Sequence, residues 1–288
     1  MADALLPLRG RRPGTGGGAL TPLDAERLRG LLAGSRFAGS LVILDSVDST
    51  SDELRRRLQR GAPAGTVALA ETQTAGRGRL GRAWFSPRGD GLYLSASFRP
   101  LRPLRELPRW SIAASAAACL ACRRIAGVPV AVEWPNDVVH AGRKVAGTLV
   151  EVRAVGDAVE DLIVGTGFNV NQEAGAFPAD LATRATSLRA ALGGAIVDRE
   201  RLAAAYLGAL DELSLELERG AWDRVLGTWL PLAPAAVGAR VRVLAEEGGA
   251  PWDAVTRGLD RWGGLVVEDA SGGRRTVRMA DAVRYEEA

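Results

Sequence analysis

Lysine and histidine are almost absent from this chain, and their scarcity narrows the chemistry it can perform. Of its 37 basic residues one is lysine, Lys144, and the other 36 are arginine. The single histidine, His140, falls at an expected hairpin turn and is read as exposed, which excludes a Ser/His/Asp hydrolase. Two cysteines are too few for a disulfide framework or a four-cysteine zinc site. They stand as C-x-x-C at Cys119 and Cys122 inside an alanine-rich run and read as small buried residues of a helix, not as a redox pair. No apolar run approaches the ~18–20 residues of a membrane span. The N-terminal stretch also lacks the ~7–15-residue apolar segment of a secretory signal. The expected location is the cytoplasm, with no membrane partner. No G-x-x-x-x-G-K-[ST] occurs, so a P-loop enzyme is excluded.

What is present suits a folded protein. The 288 residues are 47% hydrophobic and 25% charged, enough for one large domain and a small one around a sizeable core. The net charge is +3 and the isoelectric point about 9.3. Asparagine occurs only at Asn136, Asn169 and Asn171, and Lys144 lies between the first two. A residue type that a chain otherwise avoids survives where no substitute serves, so this segment draws attention without any alignment.

Residues 1–20 are rich in Pro, Gly and Arg and read as a flexible tail. A short helix is expected over Pro22–Leu32 with Thr21 as its cap. It is too little for a three-helix DNA-binding module. Leu41–Leu44 reads as a strand, Ser49 or Thr50 as the cap of a helix running to about Gly61, and Thr66–Thr72 as a strand. Residues 73–91 form a glycine-rich loop without periodicity, long enough to suggest function. Strands follow at Leu92–Phe98, Val128–Trp134, Val138–His140, Lys144–Arg153 and Asp161–Phe168, with a helix over Trp110–Ala126. Helices over Arg199–Arg219 and Ala221–Leu230 precede short strands at Arg240–Leu244, Ala254–Leu259, Gly264–Glu268 and Arg274–Met279. The pattern predicts an α+β fold: a mixed, mainly antiparallel sheet with helices on one face, then a small β-barrel. The expected divisions are 1–38, 39–234 and 235–288.

Three segments could carry chemistry. G-R-G-R-L-G-R at 76–82 offers Arg77, Arg79 and Arg82 with bare backbone N–H groups, a match for a phosphate or carboxylate. With Trp84 and Phe85 beside it, the same loop could stack RNA bases, a nucleic-acid-binding alternative. E-W-P-N-D at 133–137 presents Asn136 as donor and acceptor, and Asp137 as an oxygen ligand for magnesium or an orienting carboxylate; an Asx turn explains it equally. Lys144, just inside a strand, could stabilise the charge of a phosphoryl or adenylyl transfer.

These segments together resemble one family. S-T at 49–50, Q-T-A-G-R-G-R-L-G-R at 73–82, W-F-S-P at 84–87 and W-P-N-D at 134–137 occur in order. So do G-R-K-V-A-G-T-L-V-E at 142–151, G-T-G-F-N-V-N at 165–171 and A-T-S-L at 185–188. The chain resembles the biotin–protein ligases over about residues 41–288. The resemblance implies a catalytic domain like that of class II aminoacyl-tRNA synthetases and an SH3-like C-terminal barrel. It implies the substrates biotin and ATP with Mg2+, and as protein partner the biotin carboxyl carrier domain of acetyl-CoA carboxylase or a related carboxylase. By the same resemblance Ser49, Thr50, Ser51, Gln73, Arg77, Gly78, Arg79, Lys144 and Gly147 bind biotin. Arg79, Arg82, Trp84, Asn136 and Asn169 bind ATP. Lys144, Asp137 and Arg79 are catalytic, with Asp137 the magnesium ligand. Monomer and homodimer both stay open, and nucleic acid is not an expected partner. Glu133 stands where the family usually has Lys, and Ser51 where it usually has Asn. The nearest enzyme alternative is a lipoate–protein ligase, against which the arginine loop followed by W-F-S-P favours biotin.

Overall fold

The computed structural model describes residues 20–156, 158–244, 250–278 and 283–285. Its first helix, α1 (Ala25–Leu31), is capped by Asp24, whose carboxylate accepts from the N–H groups of Glu26 at 2.8 Å and Arg27 at 3.2 Å. It does not start from Thr21, and the reason is tertiary. The Thr21 carbonyl accepts from Arg199, and the Leu23 N–H donates to Glu71. Arg199 and Glu71 themselves form a buried ion pair at 2.8 Å. Leu28 and Phe37 are fully buried, so residues 20–38 pack into the main core.

Next come β1 (Leu41–Leu44), α2 (Thr50–Gln59), β2 (Val67–Ala70), β3 (Leu92–Phe98) and α3 (Pro108–Ala126). Four strands then follow in succession: β4 (Ala131–Glu133), β5 (Asp137–His140), β6 (Arg143–Val155) and β7 (Ala158–Phe168). The short α4 (Leu188–Ala191) leads to α5 (Arg199–Glu218) and α6 (Trp222–Trp229). The seven strands form one mixed sheet in the order β1-β2-β3-β7-β6-β5-β4. The β1–β2 pairing is parallel and the others are antiparallel.

Strand alternation divides this sheet into two unlike faces. Leu92, Leu94, Ala96, Val164 and Phe168 face the main core with α3 and α5. Tyr206 of α5 reaches that face to bond Thr166 at 2.6 Å. The small side chains of α3 allow close packing, and the helix stops at Gly127, whose φ of 66° is left-handed. The opposite face carries Ala68 and Ile163 against Leu54 and Leu58 of α2. Helices therefore cover both faces, correcting the expectation of one. The amphipathic α2 takes one end of the second face and leaves the rest of it for the 73–91 loop.

A five-stranded antiparallel sheet closes the described chain: β8 (Val237–Val243), β9 (Trp252–Leu259), β10 (Leu265–Glu268), β11 (Arg274–Val277) and β12 (Val283–Tyr285), in the order β11-β10-β9-β8-β12. Its apolar residues join the main core cluster. The Trp134 indole N–H donates to Gly263 O at 3.0 Å, and the Arg109 guanidinium donates to Arg261 O at 2.6 Å and 2.9 Å. Several strand limits differ from the sequence reading. Residues 128–130 are not strand, the β6–β7 hairpin extends to Val155 and Ala158, and β12 was not anticipated. Met279 lies outside the described residues. His140 ends β5 half-buried, its ring nitrogen Nδ1 3.2 Å from Pro129 O. Cys119 and Cys122 are fully buried, and burial pushes the Cys119 thiol up to about 11, so neither is a nucleophile. Among the described residues no helix is long and apolar enough to cross a membrane.

Candidate active site

The second face of the large sheet contains a strip with no side chains. Gly147 of β6 pairs with Gly167 of β7, and Gly165 lies two residues back on the same face. A Cβ on Gly167 would stand 2.4 Å from the Trp84 indole. On Gly147 it would stand 3.1 Å from the same ring and 2.7 Å from Lys144 Cε. On Gly165 it would meet Ser51 Oγ at 2.8 Å. All four distances are at or below the closest approach that a real Cβ makes, so only glycine leaves this strip open as a floor for the groups packed on it. The Trp84 ring lies on it here, with its Nε1 buried and unbonded.

Lys144 reaches this floor through a defect in the sheet. In a regular strand positions 144 and 147 would face opposite sides. The β5–β6 register shifts between the pairs Val139–Lys144 and Val138–Ala146, which leaves Val145 as an extra residue. That bulge reverses the alternation and turns the lysine onto the glycine side. Its amine lies 2.6 Å from Asp137 Oδ1 and 5.4 Å from the Trp84 ring centroid. The backbone is held on its other edge: Lys144 N donates to Arg184 O, and Lys144 O accepts from Thr186 N at 3.0 Å and from Asn169 Nδ2 at 3.2 Å.

At the other end of the floor stand Ser49, Thr50 and Ser51, all buried where α2 begins. Ser49 is the N-cap residue, yet its side chain makes no cap bond. Thr50 donates to Gln73 Oε1 from its backbone N at 2.9 Å and its Oγ1 at 3.2 Å. Ser95 of β3, fully buried, lies 2.8 Å from Thr50 Oγ1 and 3.0 Å from Ser51 Oγ. Gln73 Nε2 donates to Ser86 Oγ at 3.1 Å, and Ser86 donates to Trp84 O at 3.1 Å.

The arginine loop is parted here, where the sequence suggested convergence on one anion. Arg77 pairs with Asp52 and, at 3.3 Å, with Glu151, in a network that also includes Arg55. The hydrogen bond from Arg77 holds the Asp52 carboxyl below the usual carboxylate range. Arg79 points the other way and donates to Asn136 Oδ1 at 3.1 Å. Gly78 N donates to Arg82 O at 2.7 Å, so Gly78 and Arg82 close a tight turn whose tip, Leu80, has a φ of 55° and is 62% exposed. Beside Arg79 a cleft of about 250 Å³ opens between the two sheets, walled by Trp134, Pro135, Leu149, Gly263 and Arg278.

Among the asparagines, Asn136 also bonds Thr148 O at 2.8 Å, and Asn169 anchors Lys144. Asn171 is structural: its amide exchanges two hydrogen bonds with the Val197 backbone, at 3.0 Å and 2.9 Å. Glu133 lies opposite Asp137 across the β4–β5 hairpin, and its charge adds to the burial that raises the Tyr285 hydroxyl. Ser95 was not picked out from the sequence at all, and Ser86, Gly165 and Gly167 fall within motifs read there but were given no role. Glycines at positions i and i+2 of a strand were the available signal for the last two, since they must bare one face.

Residues 43–169 match the Biotin/lipoate A/B protein ligase family. The chain is 34% identical over 271 residues to a biotin–[acetyl-CoA-carboxylase] ligase of Mycobacterium tuberculosis, covering 91% of this chain and 95% of that one. It is 39% identical over 153 residues to the bifunctional ligase/repressor BirA of Bacillus spizizenii; that match takes in 53% of this chain and 47% of the relative, about half its length. Its structure is similar to that of the Aquifex aeolicus biotin protein ligase in complex with biotin and ATP, with a TM-score of 0.71, 28% identity, and coverage of 87% of this chain and 100% of that chain. The chain belongs to the biotin–protein ligase family.

Proposed function

We propose that the protein activates biotin with ATP as biotinyl-5′-AMP and transfers the biotinyl group to a lysine of a biotin carboxyl carrier domain of acetyl-CoA carboxylase or a related carboxylase. The observation that carries this reading is the single lysine, turned by a bulge onto a bare glycine floor beside Asp137, with a cluster of buried hydroxyls at the floor's far end.

In the first step a biotin carboxylate oxygen attacks the α-phosphorus of ATP and pyrophosphate leaves. In the second an acceptor amine attacks the acyl carbon of the mixed anhydride, AMP leaves, and the amine loses its proton. Negative charge builds next to the α-phosphate in both, and Lys144 supplies the matching positive charge from a fixed position. Asp137 orients that amine. Ser49, Thr50, Ser51 and Gln73 hold the ring end of biotin, which lies along Gly147. Arg77, Gly78 and Arg79 close over the acyl-adenylate once Arg77 leaves Asp52, excluding water from the anhydride. Arg82 meets the phosphates, Asn136 steadies Arg79, and Trp84 with Asn169 flanks the adenine.

A magnesium ion brought by the nucleotide would be held in part by Asp137 and would neutralise charge on the phosphates. Among the described residues no cluster of three or more acidic, His or Cys side chains could hold a metal alone. A lone carboxylate such as Asp137 fits an ion that keeps most of its ligands from phosphate and water. We assign the class II synthetase-like catalytic unit to residues 39–234, with 20–38 packed on it, and an SH3-like barrel to 235–288. Glu133 stands where a lysine is usual, and that exchange weakens ATP binding unless an arginine pairs with it.

The test is biotin-dependent exchange of labelled pyrophosphate into ATP by the wild type and Lys144→Ala, with lipoate as the control acid. Exchange with biotin that the variant lacks is expected. Exchange with lipoate in preference to biotin would overturn the reading.

A further inference from the structure

The hydroxyls at the far end of the glycine floor have only one possible hydrogen-bond direction. A backbone N–H can only donate, so the Gln73 amide atom facing Thr50 N at 2.9 Å must be its oxygen. That oxygen can only accept, so Thr50 Oγ1 donates its one proton to it across 3.2 Å. Ser95 must then donate to Thr50 across 2.8 Å, and Ser51 must donate to Ser95 across 3.0 Å. On the far side Gln73 Nε2 donates to Ser86, and Ser86 to Trp84 O. A continuous, one-way chain therefore runs from Ser51 into the loop that carries Trp84. Gly76 allows the last links to form, since a Cβ there would stand 2.9 Å from both Gln73 Nε2 and Ser86 Oγ.

We propose that Ser95 is a specificity-determining positioning residue: by accepting the Ser51 proton, it makes the Ser51 oxygen an acceptor over the floor and selects ligands that bring an N–H. The Ser51 oxygen overhangs Gly165, with its proton committed behind it and its lone pairs available. A cyclic urea carries N–H groups that satisfy such an acceptor, and Gln73 keeps a second N–H for a carbonyl. A dithiolane ring offers neither, and binding it would leave buried polar groups unpaired. Ser51 and Ser95 together do here what one longer amide does at the family's usual asparagine.

This inference rests on the ligase reading, and its test separates the two. Pyrophosphate exchange is measured for wild type, Ser95→Ala, Ser51→Ala and the double variant, each checked for an unchanged melting temperature. Ser95→Ala is expected to raise the KM for biotin about three- to tenfold. The KM for ATP and kcat should stay within about twofold, since uniform binding alone is lost. Because Ser95 acts through Ser51, the double variant should be no worse than the poorer single variant. An unchanged biotin KM in folded Ser95→Ala, a parallel rise in the ATP KM, or additive losses would each overturn the proposal while leaving the ligase reading intact. If Ser95→Ala does not fold, Ser51→Ala decides alone: an unchanged biotin KM overturns the proposal. A wild type without biotin-dependent exchange removes both.

Discussion

Strands β6 and β7 carry two faces on one backbone, and the faces do opposite work. Toward α3 and α5 they present Ala146, Val164 and Phe168, closely packed and dry. Toward the loop they present Gly147, Gly165 and Gly167, a lysine delivered by a bulge, and a hydroxyl cluster from neighbouring elements. On the proposed reading, stability and chemistry are divided between the two faces, by residue parity along β7 and, at Lys144, by the bulge that overrides it. Mutations one residue apart should therefore fail in different ways.

The largest effect belongs to the lysine. Lys144→Ala should slow pyrophosphate exchange about 10²–10³-fold with little change in melting temperature. Lys144→Arg should recover little, because a planar fork cannot take the place of a compact amine 2.6 Å from Asp137. Phe168→Ala, on the dry face, should destabilise by about 3–5 kcal/mol, read by denaturant unfolding, while the protein that remains folded keeps its KM values. Its neighbour Gly167→Ala should do the reverse. The added methyl would stand 2.4 Å from Trp84 and displace it, raising the KM for ATP or biotin by about tenfold, the cost of overpacking. Equal melting losses for these two neighbours would break the comparison.

A smaller effect sharpens it. The Arg77–Asp52 pair, unlike the hydroxyl chain, titrates. Asp52 has a folded-state pKa below its unfolded value of about 3.9, so its contribution is complete above that pH and fades as the pH falls through the lowered folded value. The pair should thus weaken progressively below about pH 4 and release the loop once the pH is under the lowered folded value, detected as faster acid-protease cleavage within residues 76–82. Asp52→Asn should already show that rate at neutral pH when cleaved by trypsin. The smallest expected signal is self-labelling. With no lysine besides Lys144, biotin and ATP without an acceptor should leave internal peptides unbiotinylated, and a strong streptavidin signal on them would contradict this.

Much of the candidate site was legible before any coordinates, as residues that the fold brings near one another. The scarcity of lysine and asparagine pointed to Lys144, Asn136 and Asn169, and the strand alternation gave the long sheet. What escaped was set by tertiary contact. Thr21 looked like a cap, but its carbonyl is held by a buried arginine far along the chain. The bulge at Val145 went unread in the sequence and shows only as a shift in the β5–β6 register. Ser95 lies in a strand whose other residues are almost all small or apolar, and only the fold brings Thr50 and Ser51 to it. The arginines were recognised by type, but their separation depends on carboxylates from α2 and β6.

The partial exposure of Lys144, the single lysine of the chain, also makes the protein easy to interrogate. Apart from the α-amino terminus, Lys144 provides the chain's one primary amine, and its side chain is one-third exposed. An amine-selective acylating reagent, which elsewhere decorates a surface at random, becomes here, once the terminal amine is accounted for, a titrant of a single side-chain atom. One adduct per chain on Lys144, suppressed by ligand, would count occupied sites directly, without an acceptor protein, a radiolabel or turnover.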